Sequence, residues 1–369
     1  MEKRTLGKTG LSLSIVGFGG FHLIEIGSKE AEYLLNAYLD RGGNYIETAA
    51  SYGDGNSEQK IGRAVSRRRD DFVLATKCEV RDAKGATAII ERSLKNLKTD
   101  HVDVLFMHAV QTKEALDAVL APGGEMEAAE KARKEGKVRF IAISGHGHQP
   151  VLQDAVNRHP FDILMTGFNF LDRFNFPEVE SKLLPSCLEK GVGVLGMKSV
   201  GDGYLYRSWE PAIRYVLSLP VVSLVLGMNS REMLEKDLKL AEKFKPMSDA
   251  EREKLFKKAP ELGDYVCRMC GKCHVNGFDP QGVFRLEAMY DRQMDDRRVD
   301  DTALFALRER LRFWFNQKEE AQAAYAAAAV KVDPEKDYSS LNKLCPYGID
   351  IDRKLKVAHD KLSANGYIY

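Results

Sequence analysis

Cysteine is the residue type that most clearly suggests chemistry in the last third of the chain. The segment CRMCGKC places Cys267, Cys270 and Cys273 three residues apart. Thiolate sulfur is a strong ligand for zinc and for iron–sulfur clusters, and such sites commonly use four cysteines. The spacing therefore predicts a metal site whose fourth ligand lies elsewhere in the sequence.

The fourth ligand is predicted to be Cys345, which is followed by Pro346 in the segment KLCPYGIDI. Bacterial ferredoxin segments have the spacing C-x2-C-x2-C-x3-C-P, and removal of residues 274–341 from this chain leaves that spacing. We therefore interpret the four cysteines as one motif for a [4Fe–4S] cluster, interrupted by a helical insertion. Zinc is the alternative, although zinc sites more often pair two C-x2-C units.

Residues 1–245 are predicted to form a (β/α)8 barrel. Eight apolar, β-branched runs alternate there with amphipathic segments, which is typical of strands buried on both faces and separated by helices. A doubly wound sheet is the alternative, but no G-x-G-x-x-G turn follows the first run. A hairpin in RTLGKTGLSLS is expected to plug one end of the barrel. The predicted strands are 15–19, 44–48, 72–77, 102–108, 139–144, 162–169, 191–198 and 221–228.

Titratable side chains stand at the ends of three successive predicted strands. Glu47 ends the second strand and Tyr52 follows it, Lys77 ends the third strand, and His108 ends the fourth. Active sites of such barrels lie at the C-terminal ends of the strands, so we expect these four side chains to converge. Each alone could be a solvated rim or packing residue, whereas the four together predict a catalytic site.

Three segments resemble the aldo-keto reductases. The segment GGNYIETAASYGDGNSEQKIGRA (42–64) is similar to the second-strand signature of that family, and FVLATK and VDVLFMHA are similar to its third and fourth strands. The resemblance extends over about residues 1–245. The cysteine segment resembles the ferredoxin-like tail of one branch of the family, in which Cys-Pro-x-Gly-Ile is common.

The resemblance implies hydride transfer between a nicotinamide and a carbonyl or alcohol substrate. Tyr52 would be the general acid, Lys77 would lower the pKa of the phenol, and His108 would orient the carbonyl oxygen. The carboxylate that holds the lysine is usually aspartate and is Glu47 here. We expect Glu47 still to orient Lys77, while a site retuned for an unusual substrate is the alternative.

The resemblance also implies a bound cofactor, NADP(H) or NAD(H). Asn229 stands where an arginine for the 2′-phosphate is frequent, and Arg231 lies two residues further on. Because an arginine near the ribose selects NADP and an acidic group favours NAD, the choice stays open, with a slight preference for NADP(H) on family grounds. The predicted cofactor-binding residues are Gly20, Phe21, Ser144, Asn169, Met197, Lys198, Ser199, Asn229, Arg231, Glu235 and Asp237.

Residues 246–369 are predicted to form a second domain, the ferredoxin-like segment with its helical insertion at about 274–344. Within the insertion, 321–330 is expected to be helical, 291–301 a solvated charged stretch, and 304–315 a buried face that carries Trp314. Non-catalytic alternatives are an electron-transfer or redox-sensing protein and a regulatory subunit with a degenerate barrel.

Composition excludes several kinds of partner. The formal net charge of +1 argues against a nucleic-acid surface, and the sequence contains no apolar run long enough to span a bilayer. The first residues do not have the pattern of a signal peptide, and six cysteines are too few for a secreted disulfide scaffold. We therefore expect a cytoplasmic protein with a small-molecule substrate. A redox partner protein and a homo-oligomer are further predictions.

Overall fold

The chain divides into two compact units. The structure, a computed structural model, describes residues 1–146, 149–275, 277–295, 306–307, 311 and 317–363. The barrel unit comprises Met1–Phe168, Glu180–Ser199 and Val216–Pro246, and the second unit comprises Asn169–Val179, Val200–Tyr215 and Met247–Tyr369. Two segments that the predicted division at 245 assigns to the barrel therefore cluster with the second unit.

Eight parallel strands close into a barrel in the order of the sequence, and the last strand pairs with the first. All eight predicted strands are confirmed, and a two-stranded antiparallel hairpin precedes them, also as predicted. The hairpin consists of β1 (Lys3–Thr5) and β2 (Ser12–Ser14). The barrel strands are β3 (Val16–Gly19), β4 (Tyr45–Glu47), β5 (Val73–Cys78), β6 (Val102–Met107), β7 (Val138–Ser144), β8 (Ile163–Gly167), β9 (Gly193–Met197) and β10 (Ser223–Gly227).

Alternate residues of the strands fill the barrel interior. Val73 and Ala75 of β5 belong to this core, as do Val104 and Phe106 of β6, which is the period of two that a strand requires. The hairpin contributes further leucines to the same cluster, which confirms that it covers one end of the barrel. Those leucines are Leu6, Leu11 and Leu13.

Some of the helices begin after a residue whose side chain accepts a hydrogen bond from an amide of the first turn. The predicted N-cap Ser230 accepts a hydrogen bond from the amide of Met233, and Asp82 accepts one from Gly85. No helix in the described part of the chain has the length and apolar character needed to cross a bilayer. The helices are α1 (Ser28–Asp40), α2 (Asn56–Val65), α3 (Ala83–Leu97), α4 (Lys113–Leu120), α5 (Glu125–Lys134), α6 (Gln149–Arg158), α7 (Asp172–Asn175), α8 (Leu184–Lys190), α9 (Trp209–Leu217), α10 (Arg231–Glu242), α11 (Asp249–Lys258), α12 (Pro280–Asp291), α13 (Lys318–Ala327) and α14 (Ile351–Leu362).

One hydrophobic core joins the helices of the second unit to the cysteine segment. Phe284 of α12, Tyr325 of α13 and Leu355 of α14 are buried in the same cluster as Cys267 and Cys273. The helix predicted at 321–330 is confirmed as α13, although it begins three residues earlier and ends at Ala327. The buried face predicted at 304–315, with Trp314, lies almost wholly outside the described residues.

The prediction of a solvated stretch at 291–301 was wrong for its described part, residues 291–295, in which every side chain is buried. Asp291 forms an ion pair with Lys361 at 2.6 Å, and Asp295 forms one with Arg353 at 2.7 Å. Both cations come from α14. Because these partners lie far along the chain, the local charge pattern could not reveal that the acids would be paired inside a core.

Gly62 marks a close crossing of α2 and α3. A Cβ at this position would lie 2.3 Å from the carbonyl oxygen of Asn96 and 2.7 Å from the carbonyl carbon of Leu97, which are backbone atoms that cannot rotate away. We expect Gly62→Ala to lower the free energy of unfolding by about 1–3 kcal/mol, measured by urea denaturation. Gly282→Ala in α12 is the matched control, since a Cβ there meets open space and alanine favours a helix. Equal stability of the two variants would contradict this assignment.

Candidate active site

A buried ammonium at the end of β5 organises the site. The Nζ atom of Lys77 donates to the carboxylate of Glu47, to the carbonyl oxygen of Thr48 at 2.9 Å and to the phenolic oxygen of Tyr52 at 3.0 Å. All three donors of the ammonium are therefore used. Burial lowers the pKa of Lys77 well below its usual value, and nearby Lys198 acts in the same direction. The adjacent carboxylate opposes this effect because it favours the charged form.

Tyr52 stands between this ammonium and two aromatic rings. Its ring meets Phe21 edge to face at a centroid distance of 5.1 Å and His108 at 5.9 Å. Because Oη accepts a hydrogen bond from Lys77, its own proton is free to be donated elsewhere. Burial raises the pKa of Tyr52, with a smaller contribution from Glu79. The net pKa of Tyr52 is therefore raised and not lowered, because desolvation is the largest effect, and the phenol stays protonated at neutral pH.

His108 follows β6 and is fixed through its backbone. Its amide donates to the carbonyl oxygen of Cys78 at 2.7 Å, and Arg81 donates to its carbonyl oxygen at 2.5 Å. Its side chain is largely buried, and Nδ1 lies 3.1 Å from a carboxylate oxygen of Glu79. Burial lowers the pKa of His108, whereas Glu79 acts to raise it.

The sequence interpretation missed Glu79. A signal was present, because Glu79 lies two residues after Lys77 on an extended segment, and alternate residues of such a segment share one face. The four predicted catalytic side chains are brought together at one end of the barrel, and Glu79 joins them there.

Most residues predicted to bind the cofactor surround that same end. Ser144 is the last residue of β7, Met197 is the last of β9, and Lys198 and Ser199 follow directly. The hydroxyl of Ser199 is buried and has no hydrogen-bond partner among the described residues. Since a buried polar group without a partner is costly, this hydroxyl fits a site that a polar ligand completes.

Two other predicted residues have structural roles. A Cβ at Gly20 would lie 2.8 Å from the carbonyl oxygen of Glu47, so close backbone packing accounts for this glycine. Asn169 belongs to the second unit, where its side-chain oxygen accepts hydrogen bonds from the amides of Leu171 and Asp172 at 3.1 and 2.7 Å. A cofactor contact by Asn169 stays a prediction.

The predicted adenosine end is held by carboxylates. Arg231 makes two hydrogen bonds of 2.9 Å to Glu30, and its guanidinium lies 3.8 Å from the centre of the Tyr33 ring. Asn229 donates to Glu25 at 2.8 Å. The guanidinium of Arg231 is therefore already paired with the carboxylate of Glu30 in α1.

The second unit brings the four cysteines around one small cavity of about 10 Å³. Cys267 and Cys273 are buried, Cys345 is half-buried and Cys270 is exposed. Gln293, from the buried stretch after α12, accepts a hydrogen bond from the amide of Cys267 at 2.7 Å. Within the described ranges, no group of three or more His, Cys, Asp or Glu side chains is arranged to hold a metal ion. The other lining residues are Arg268, Gln281, Phe284, Leu344, Tyr347, Ile349 and Ile351.

The barrel fold and the sequence match one family. A profile of the Aldo/keto reductase family matches residues 15–210. The chain belongs to this family. It is accordingly an NAD(P)H-dependent oxidoreductase with the family's barrel fold. The matched region ends before the cysteines, so it bears on the barrel and its site alone.

Individual relatives agree with this assignment. L-galactose dehydrogenase of Arabidopsis thaliana is 31% identical over 235 residues, which cover 58% of this chain and 70% of that protein. D-threo-aldose 1-dehydrogenase of Pseudomonas sp is 28% identical over 239 residues, covering 55% and 70%. Among solved structures, the holo form of aldo-keto reductase AKR11C1 from Bacillus halodurans has a TM-score of 0.60 and 26% identity, covering 70% of this chain and 97% of that one.

The buried carboxyl of Asp237, a predicted cofactor-binding residue, is expected to make stability depend on pH. Burial in α10 raises the pKa of this carboxyl from 3.8 to about 7, with Lys236 opposing. As pH rises from about 4 to about 7, the unfolded chain releases this proton before the folded chain does. The group therefore lowers the free energy of unfolding across that interval, by about 4 kcal/mol in total.

We expect the free energy of unfolding of Asp237→Asn not to show this fall with rising pH, as measured by urea denaturation between pH 4.5 and pH 8. Glu232→Gln, which removes an exposed acid from the same helix, should keep the pH dependence of the wild type. An unchanged profile in Asp237→Asn would mean that the carboxyl titrates normally.

Proposed function

We propose that this chain transfers a hydride between a nicotinamide and a carbonyl or alcohol carbon, with Tyr52 as the proton donor to oxygen. The observation that carries this proposal is the set of contacts from Glu47 through Lys77 to Tyr52 at the C-terminal end of the barrel strands. When bound, NAD(P)H supplies the hydride.

Each side chain of this set has a distinct role in the proposal. Tyr52 holds its proton in a buried site and gives it to the substrate oxygen as negative charge develops there. Lys77 donates to Oη, so its charge stabilises the phenolate that Tyr52 becomes. Glu47 keeps Lys77 charged and aimed, and His108 hydrogen-bonds the substrate oxygen from the side.

Hydroxylated aldoses are the first substrates to test. Two relatives carry names of sugar dehydrogenases, one for L-galactose and one for D-threo-aldoses. For the coenzyme, we infer a preference for NAD(H), in place of the slight preference for NADP(H) that the resemblance implied. The support is that Glu25 and Glu30 already hold Asn229 and Arg231, and an acidic group near the ribose disfavours a 2′-phosphate.

Tyr52→Phe tests the proton donor. We expect kcat/KM for aldose oxidation and aldehyde reduction to fall by about 10²–10⁴, because that range is the usual contribution of a general acid. Binding of NADH and NADPH, followed by fluorescence, should be retained. Tyr206→Phe is the control, since this tyrosine is exposed and the change removes the same hydroxyl group. Full turnover by Tyr52→Phe would refute the assignment.

We also propose that Cys267, Cys270, Cys273 and Cys345 hold one [4Fe–4S] cluster. In a cubane, each iron is bound by its own thiolate, so the ligands surround a volume and do not converge on a point. The four cysteines line one cavity of the second unit, which supports a common ligand. Zinc stays the alternative, and it would require four sulfurs at about 2.3 Å from one centre.

A structural or sensing role fits the cluster better than an electron relay. A hydride carries two electrons and a cluster accepts one, so a relay would need a flavin or a radical, and the sequence has no flavin motif. A redox partner and a homo-oligomer stay predictions.

Metal analysis of anaerobically purified protein tests the cluster. We expect about four irons and four sulfides per chain, because a cubane contains four of each. Cys345→Ser should lose them, whereas Cys187→Ala, which changes a buried cysteine of α8, should keep them. Zinc in place of iron, or iron that is indifferent to Cys345, would overturn the proposal.

A further inference from the structure

A carboxylate with no part in the roles above lies against His108. One oxygen of Glu79 is 3.1 Å from Nδ1, and Ser51 makes a hydrogen bond to the same carboxylate. Nδ1 is buried, and the described residues offer it no aligned hydrogen-bond acceptor. The Glu79 oxygen is at ion-pair distance but out of line with the N–H direction. Catalytic hydrogen bonds are often poorly aligned before substrate binds and tighten in the complex.

The anchored backbone of His108 places its ring beside Glu79. The backbone of His108 is held from both sides, by the carbonyl oxygen of Cys78 and by the guanidinium of Arg81. Arg81 is itself paired at 2.5 Å with the buried carboxylate of Glu125. With the backbone anchored, Nδ1 faces Glu79, and no hydrogen bond from Nε2 is formed within the described chain.

The contact between Glu79 and Nδ1 favours one of the two tautomers of a neutral His108 ring. A neutral imidazole carries one proton, and an ionised carboxylate can only accept a hydrogen bond. The proton of the neutral ring is therefore drawn to Nδ1, which leaves Nε2 as an acceptor. An alcohol hydroxyl can donate to such an Nε2, whereas a carbonyl oxygen needs an Nε2–H, which this tautomer lacks.

We propose that Glu79 is a positioning residue that fixes His108 in the Nδ1–H tautomer. The neutral ring then accepts a hydrogen bond from an alcohol hydroxyl. A carbonyl oxygen is bound by His108 only when the ring is an imidazolium, with a proton on both nitrogens. The consequence for catalysis rests on the function proposed above, but the tautomer can be measured without turnover.

The charged groups around the ring, together with its burial, determine the pKa of His108. Glu79 favours the imidazolium, whereas burial, Lys77 and Arg81 disfavour it, and the uncharged phenol of Tyr52 packs against the ring. These opposing effects leave the pKa below its usual value. In the wild type, kcat/KM for carbonyl reduction should therefore fall about tenfold per pH unit once pH exceeds the pKa of His108, which is the loss of the protonated ring.

The decisive measurement is nitrogen NMR of protein labelled with 15N-histidine, which has eight histidines in all. The signals of His108 are identified by their loss in His108→Gln. At a pH above its pKa, we expect Nδ1 protonated and Nε2 unprotonated in the wild type. In Glu79→Gln, the amide can donate to Nδ1, so the population should shift toward Nε2–H. Glu91→Gln, which removes an exposed acid paired with Lys137, should leave the spectrum unchanged.

Kinetics separates a tautomer effect from a simple charge effect. With 4-nitrobenzaldehyde as the carbonyl probe, loss of a charge alone would move the fall in kcat/KM to lower pH and keep its slope. If Glu79→Gln instead allows the Nε2–H tautomer, kcat/KM should no longer fall with rising pH, because the neutral ring could then donate from Nε2. An Nε2–H tautomer in the wild type, or a shifted limb of unchanged slope in Glu79→Gln, would overturn the proposal. Full activity of Tyr52→Phe would instead overturn the proposed function and leave the tautomer measurement standing.

Discussion

The geometry of the barrel mouth depends on one desolvated ammonium. A buried charge is tolerated only when it is paired and its donors are satisfied, and Lys77 meets this requirement with three acceptors from consecutive parts of the chain. Glu47 and Thr48 come from the end of β4, and Tyr52 comes from the loop that follows. These acceptors are in place because β4 and β5 are in register, with Glu47 opposite Ala75. A slip of one residue would turn Lys77 to the other face of its strand.

The barrel and its four strand-end side chains were predictable, because each depends on a local pattern combined with a general rule. Buried parallel strands leave apolar runs in the sequence, and the rule that barrel sites lie at the C-terminal strand ends then brings Glu47, Lys77 and His108 together. The direction of the Tyr52 pKa was not predictable, since it depends on how deeply the phenol is buried. The place of Glu79 beside the site could have been predicted from its spacing from Lys77, but its contact with His108 could not, because that contact depends on side-chain geometry across two strands.

The second unit shows a different limit of sequence interpretation. Its cysteines could be grouped because three of them are close in sequence and the fourth has a proline beside it. Asp291 and Asp295 could not be placed, because their partners on α14 lie more than 50 residues away. In the same unit, Lys354 and Glu287 form a fully buried pair at 2.7 Å. Such pairs contribute little net stability when intact but are costly to break, so they define which helices can pack together.

The division of the cysteine cavity between two distant segments sets an order of events during synthesis. The last barrel strand ends at Gly227, and Cys345, the last of the four cysteines that line the cavity, follows more than 100 residues later. At about 5–20 residues per second, a ribosome needs about 6 to 24 s for that interval. A nascent chain can thus close its barrel while holding three cysteines without the fourth. Those three thiols must be kept reduced and apart from stray metal until the final helices emerge, so the cavity depends on the chemistry of its compartment before it depends on its own fold.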